Sequence, residues 1–388
     1  SGFERLCPCN KPYQRGHSKC KISNTCTDPI ESGTLFSAPY EVDTNNAGAL
    51  NLAVGDINGD GMLDLASAAQ TSGKIAWYKN TDGKGMFSKE IIVSRNATGA
   101  RCVVSGDIDG DGHLDLAAAS RGTGAQGQGS KITWYKNKDG KGAFSEEIIV
   151  TTNALGAYAV VVGDFDSDGS LDLASASIND NKIAWYKNID GKGKFGGQLI
   201  IATSATGLTG PWYLTVGDFN FDGLLDIAAA CFEPGKINWF KNSGGEGTNR
   251  FSKEIVVSTD VDDAVFVGVG DVDGDGLLDI VSASSGATGI AGKISWYKNT
   301  PGLLSHFSSQ KVVTTGALGA SSVAVGDLNG DGDLDLVSAS YVDNKIAWYQ
   351  NMDGKGTFSN EIIVSTDAIG AYGVAVGDFD NDGVLDIA

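Results

Sequence analysis

Asp56, Asn58, Asp60 and Asp64 stand at positions 1, 3, 5 and 9 of one short string, with Gly61 at position 6 and Met62 at position 7. Four side-chain oxygens and the Met62 carbonyl, gathered by a turn that only glycine makes easily, form an oxygen-only donor set. Such a set suits a hard cation that takes six to eight ligands, which is calcium. Magnesium demands a tighter octahedron and keeps its waters, and transition metals prefer imidazole or thiolate.

The string occurs seven times. The second copy offers Asp107, Asp109, Asp111 and Asp115 with the His113 carbonyl, and the third Asp164, Asp166, Asp168 and Asp172 with Ser170. The fourth offers Asp218, Asn220, Asp222 and Asp226 with Leu224, and the fifth Asp271, Asp273, Asp275 and Asp279 with Leu277. The sixth offers Asp327, Asn329, Asp331 and Asp335 with Asp333, and the seventh Asp378, Asp380, Asp382 and Asp386 with Val384. Up to seven calcium ions are therefore expected. An EF-hand would need a bidentate Glu at position 12 and flanking helices, but position 12 of the first copy is Ser67. A plain Asp-Gly turn accounts for one copy; it does not account for seven that all keep carboxylates at positions 1, 5 and 9. Carboxylates about 4 Å apart repel by roughly 4 kcal/mol at an effective dielectric near 20, so the loops should splay without a cation and folding should depend on calcium.

The first aspartates of successive strings are 51 to 57 residues apart, a period that marks one structural unit. Each unit carries four strand-like segments. These are a β-branched run before the first Asp, an alternating segment after the loop, a KIAWYKN string at Lys74 with relatives at Lys131, Lys182, Lys236, Lys293 and Lys345, and an FSKEIIV string at Phe87 with relatives further on. DGKG turns at Asp82, Asp139, Asp190 and Asp353 join the third to the fourth, as a hairpin requires. No segment has helical periodicity. Seven units of four antiparallel strands make an all-β, seven-bladed β-propeller, whose blades pack on both faces. Ile75 and Trp77 would face one neighbour, Ala76 and Tyr78 the other. Two domains follow: a Cys-rich segment over 1–32 and the propeller over 33–388. The seventh unit lacks a KIxWY strand, so its blade is expected to be incomplete, closed by residues 33–44 through the strand-like stretch 36–42, and the polypeptide to continue past residue 388.

The units resemble the FG-GAP or VCBS repeats of integrin α-subunit propellers and of many secreted microbial and algal proteins. The name motif survives as Phe195-Gly196, and as Gly99-Ala100, Gly156-Ala157 and Gly210-Pro211. The resemblance implies the propeller and its metal, with binding or adhesion as the family's work.

Cys7, Cys9, Cys20 and Cys26 crowd the first 26 residues. Two disulfides in an oxidising compartment are the expected use, with a zinc site as the rival; Cys7-Pro8-Cys9 is tight for paired zinc ligands. Cys102 and Cys231 replace small residues of the repeat and are expected to be buried free thiols. Asn96-Ala97-Thr98 is an N-glycosylation sequon, compatible with secretion. With 29 Lys and Arg against 48 Asp and Glu the formal charge is −19, which argues against nucleic acid as a partner. No apolar run approaches the roughly 20 residues of a membrane-spanning helix.

Six residues before each first aspartate lie Leu50, Arg101, Tyr158, Trp212, Val265, Ser321 and Tyr372, a variable position on an otherwise monotonous strand. At one mouth of the axial channel, Arg101, Tyr158, Trp212 and Tyr372 would stack on a sugar or grip a carboxylate, unless they only plug the channel. Neither HExxH, GxSxG nor a phosphate-loop signature is present, so no catalytic role is expected. The function expected is an extracellular, secreted or cell-surface binding or adhesion module for a protein or glycan. The alternatives are a lectin and a structural subunit of an extracellular wall, sheath or appendage that assembles with neighbouring chains.

Overall fold

A computed structural model of the chain describes residues 36–37, 39–124, 127–286, 291–303 and 305–388. The chain divides into two units, Ser1–Ala38 and Pro39–Ala388. Cys7, Cys9, Cys20 and Cys26 lie outside the described residues, as do residues 33–35 of the expected closing strand.

The second unit is built from strands and two 3-10 turns. Its first blade is β1 (Ala49–Gly55), β2 (Asp64–Ala69), β3 (Lys74–Tyr78) and β4 (Ile91–Ser94). Blade two is β5 (Ala100–Gly106), β6 (Asp115–Ser120), β7 (Lys131–Tyr135) and β8 (Ile148–Thr151). Blade three is β9 (Ala157–Gly163), β10 (Asp172–Ser177), β11 (Lys182–Tyr186) and β12 (Leu199–Ala202). Blade four is β13 (Pro211–Gly217), β14 (Asp226–Cys231), β15 (Lys236–Phe240) and β16 (Ile255–Ser258). Blade five is β17 (Ala264–Gly270), β18 (Asp279–Ser284), β19 (Lys293–Tyr297) and β20 (Lys311–Thr314). Blade six is β21 (Ala320–Gly326), β22 (Asp335–Ser340), β23 (Lys345–Tyr349) and β24 (Ile362–Ser365). In every blade each strand pairs antiparallel with the next in sequence.

The count corrects the expected seven four-stranded blades to six. The seventh unit contributes only β25 (Val376–Gly377) and β26 (Asp386–Ile387), a two-stranded sheet. Among the described residues, 36–42 form no strand where a strand-like stretch is expected. The reason lies in the next few residues. Asn46 donates through Nδ2 to Ser67 Oγ (2.8 Å) and Tyr78 Oη (3.0 Å), and Tyr78 Oη donates to Asp43 (3.1 Å). These polar side chains hold the segment as turns against blade one. The seventh sheet, without a third strand to lengthen it, stays two residues deep.

The core is distributed between blades, as the alternation in KIAWYKN predicts. All six residues of each second strand in blades one to six are buried. Ile75 and Trp77 pack with Val103, Leu116 and Tyr135 of blade two. Tyr78, on the opposite face, packs with Leu65 and Phe379. The pattern repeats at the following interfaces, with Trp134 against Tyr186 and Trp185 against Phe240. Fully burying one such aromatic is worth about 1.5–3 kcal/mol. The second glycine of the DGKG turn serves the same interface: a Cβ on Gly142 or Gly193 would collide with the indole of Trp77 or Trp134 in the preceding blade. Cys102 and Cys231 are free and buried, as expected.

Candidate functional site

The acidic strings fold as one recurring loop between the first and second strands of each unit. The position-1 carboxylate closes it: Asp56 accepts the N–H of Asp60 (3.0 Å) and of Gly61 (2.8 Å), and the other six copies repeat the pair. Position 5 accepts the N–H of position 7, as Asp168 does from Ser170 (3.0 Å). Glycine at position 6 is left-handed throughout, for example Gly112 at φ 88°. Position 4 is left-handed too, and there the chain places Ser167, Phe221 and Asn381 with φ near 60°, a conformation that side chains seldom adopt.

Position 9 is a structural acceptor as well as a donor-set member. Asp115, Asp172, Asp226, Asp279 and Asp335 are fully buried and accept the N–H of Asn137, Asn188, Asn242, Asn299 and Asn351 at 2.6–2.8 Å. Burial pushes the carboxyls of Asp115, Asp172, Asp226 and Asp279 up to about 7 and that of Asp335 to about 6, against the hydrogen bonds that favour the anion.

These loops fit a metal ion. Carboxylate oxygens of Asp107, Asp109 and Asp115 lie within 4.8 Å of one another, as do those of Asp164, Asp166 and Asp172, of Asp271, Asp273 and Asp279, and of Asp378, Asp380 and Asp386. One oxygen on each of Asp109, Asp166 and Asp273, and Oδ1 of Asn220, is buried without a hydrogen-bond partner. A buried acceptor with no donor is costly unless a cation satisfies it. A lysine at the end of the third strand supplies part of the positive charge. Lys136 pairs with Asp109 and Asp111, Lys187 with Asp166 and Asp168, and Lys298 with Asp273 and Asp275. Lys79 reaches Asp60 (2.8 Å) and Lys241 reaches Asp222 (3.2 Å). The sixth unit has Gln350 at that place. There Asp333 is raised by burial and by the charges of Asp331, Asp327 and Asp353.

Sequence reading missed the residue after that lysine. Asn137 donates through Nδ2 to Leu114 O (3.2 Å) in its own blade and to Ile57 O (2.8 Å) in the loop of the blade before. Asn188, Asn242, Asn299 and Asn351 make the same bridge to Ile108, Phe165, Phe219 and Val272. Asn80 donates to Phe379 O (2.7 Å) and so ties the seventh loop to blade one, with Phe87 edge-on to Phe379 at 5.7 Å. The signal was present: an asparagine closes every copy of the third string.

At the other end of the inner strands the structure brings Arg101, Tyr158, Trp212 and Tyr372 together around one cavity of about 370 Å³. Phe232, Ser285 and Tyr341 reach it from loops between second and third strands, and Asp263 from the start of blade five. Tyr158 lies 4.3 Å from Trp212, and Trp212 stacks on Phe232 at 4.7 Å. The guanidinium of Arg101 sits 4.3 Å above the Tyr158 ring, with that of Arg121 at 5.4 Å. One layer deeper the space shrinks to about 30 Å³, where Tyr213 and Phe266 stack at 4.2 Å. Arg101, Tyr158, Trp212 and Tyr372 line both spaces, with Tyr213 and Phe266 added at the narrower one. Asn96 is exposed between β4 and β5.

Fold and loops together define a β-propeller of repeats that each carry an acidic, metal-fitting turn. A model of the FG-GAP-like repeat matches residues 56–118, 123–175, 164–229, 222–282, 271–338 and 327–388, and the chain belongs to that family. It is 26% identical over 233 residues to a T-cell immunomodulatory protein homolog of Plasmodium falciparum (isolate 3D7), a match spanning 44% of this chain and 32% of that protein. The chain thus spans about a third of the curated relative's length. Among solved structures it resembles an Agrocybe aegerita lectin described as recognising non-reducing terminal N-acetylglucosamine. The TM-score is 0.57 and the identity 19%, over 87% of this chain and 85% of that one; this likeness concerns the fold. No helix among the described residues is long and apolar enough to cross a membrane.

Proposed function

We propose that this chain is an extracellular binding module without catalytic activity, a propeller held by calcium whose axial cup receives a protein or glycan partner. The observation that carries the reading is the convergence of Arg101, Tyr158, Trp212 and Tyr372 on one cavity. These four sit at the variable position of an otherwise uniform strand, and loops of differing length surround them on a rigid scaffold, where binding residues tend to sit. Calcium is supported by the all-oxygen donor set and by the buried oxygens of Asp109, Asp166 and Asp273 that lack a partner. The ion's part is to neutralise each loop so that the loop holds its shape; the asparagines then lock that shape to the next blade.

The aromatic stack around Trp212 favours a second reading, a lectin, since sugar rings pack on indole and phenol faces. A glycan and extracellular-protein array, probed with calcium and again with chelator, tests both. The expected result is calcium-dependent capture of a partner that Trp212→Ala abolishes. Capture that Trp212→Ala leaves intact would remove the cup from the account.

A further inference from the structure

We infer that the axial cup recognises a terminal acidic sugar, a pyranose that carries a carboxylate. The inference rests on the reading of this cup as the ligand site and names the ligand's chemistry.

The charge on its wall is the first ground. In a chain with a formal charge of −19, Arg101 lines the cup with its guanidinium 4.3 Å from the centre of the Tyr158 ring, and the guanidinium of Arg121 lies 5.4 Å from the same ring. Among the described residues, neither has a carboxylate partner, and Nε of Arg101 is buried with no hydrogen-bond partner. The lysines of the third-strand strings are placed against acids, as Lys131 is against Glu147 at 2.6 Å. A planar guanidinium left open at a cavity wall matches a carboxylate, which it can grip through two parallel hydrogen bonds.

The second ground is the apolar surface beside that charge. Tyr158, Trp212 and Phe232 form a continuous run of rings with centroids 4.3 and 4.7 Å apart. A small inorganic anion has no use for such a wall, whereas the C–H face of a pyranose stacks on it. Asp263 lines the same cup and offers acceptors for ring hydroxyls. With Asp262 and Glu233 near enough to act on its charge, this part of the cup repels a second negative group and favours one carboxylate on an otherwise neutral ring.

Size and depth are the third ground. A volume of about 370 Å³ lies near the lower end of small-ligand pockets, roughly 300–1,000 Å³. The floor closes on Tyr213 and Phe266. A blind cup of this volume takes one or two rings at a chain end and does not let a polymer pass through.

The test uses the full chain with calcium, titrated calorimetrically with methyl glucuronide, N-acetylneuraminic acid, methyl glucoside, acetate and a peptide ending in a free aromatic carboxylate. At least one acidic sugar should bind, tenfold or more tighter than methyl glucoside and acetate. Arg101→Met should weaken it at least tenfold, with Arg101→Lys in between, and the melting temperature of each variant establishes that it is folded. Equal binding of glucoside and glucuronide, or an acidic sugar indifferent to both Arg101 variants, overturns the inference. So does a peptide that binds while no acidic sugar does. If a neutral glycan or the peptide is instead captured and lost on Trp212→Ala, the acidic-sugar inference fails and the cup remains the ligand site. If ligands bind regardless of Arg101 and Trp212, both readings fail.

Discussion

Within one loop, two carboxylates that look equivalent in sequence should fail in opposite ways when removed. Asp226 is fully buried. It accepts the N–H of Asn242 (2.6 Å) and of Phe219 (3.2 Å) and the Asn220 amide (3.0 Å). Asp226→Ala strands three donors in the interior at about 1–3 kcal/mol each, so roughly 4 kcal/mol should be lost even in chelator, with the calcium linkage of that site lost on top of it when the ion is present. Asp222 is partly exposed; it accepts the Leu224 N–H (3.1 Å) and faces Lys241 at 3.2 Å. An exposed pair of this kind is worth about 0–1 kcal/mol, so in chelator Asp222→Ala should cost at most about 1 kcal/mol. With calcium a hundredfold above its dissociation constant the same substitution forfeits the linkage term of about 2.7 kcal/mol for that site. Urea denaturation followed by circular dichroism, in EDTA and in saturating calcium, reads both. Equal costs for Asp222→Ala in the two conditions would refute calcium at this loop, and an Asp226→Ala cost under about 1 kcal/mol in EDTA would refute the scaffold role of position 9.

In chelator the protein should be less stable at pH 7.5 than at pH 5. Burial raises the carboxyls of Asp115, Asp172, Asp226 and Asp279 to about 7 from the ordinary 3.8, so the unfolded chain sheds those protons first and stability falls as pH climbs between the two values. Calcium needs the anions, so its stabilisation should grow over the same interval; paired thermal melts check both slopes. Asn80→Ala removes a buried amide from Phe379 O and Leu63 O and should cost about 2–3 kcal/mol, with hydrogen exchange accelerated in residues 376–388 before the rest. Lys136→Met takes a competing ammonium away from Asp109 and Asp111 and should raise the calcium affinity of that loop two- to fivefold, the scale of a partly exposed ion pair, by calorimetric titration. Burial lifts Cys102 to about 11 and Cys231 to about 12, so iodoacetamide at pH 8 should label neither until the protein unfolds, which mass spectrometry reads directly.

Side chains whose task is complete inside one unit were legible in the sequence. Asp56, Asp60 and Asp64 must supply oxygen at fixed offsets, and Gly61 must turn sharply, so residue type and spacing carry the message without any knowledge of neighbours. The cup was legible for the opposite reason, because Arg101, Tyr158, Trp212 and Tyr372 interrupt a uniform strand. Roles that cross from one unit to the next were not. Asn137 is one more polar residue at a strand end until Ile57 O of the previous loop is placed beside it. Lys136 looks like a solvated charge until the folded β7 swings it over Asp109. The seventh blade was overcounted because its loop string is complete while its ladder is not, and β26 has no third strand to pair with. Residues 36–42 carry a strand-like pattern, yet Asp43 and Asn46 find better partners in Tyr78 and Ser67.

The asparagine bridge has a consequence for how such a molecule arises. Six junctions, including the one from Asn80 to Phe379, use the same amide and a main-chain carbonyl, and a carbonyl carries no residue identity. A newly duplicated copy can therefore dock on either side of an existing one without first evolving a matching surface. The number of copies in a turn is then left to the angle each contributes, while the residues facing the axis are free to diverge.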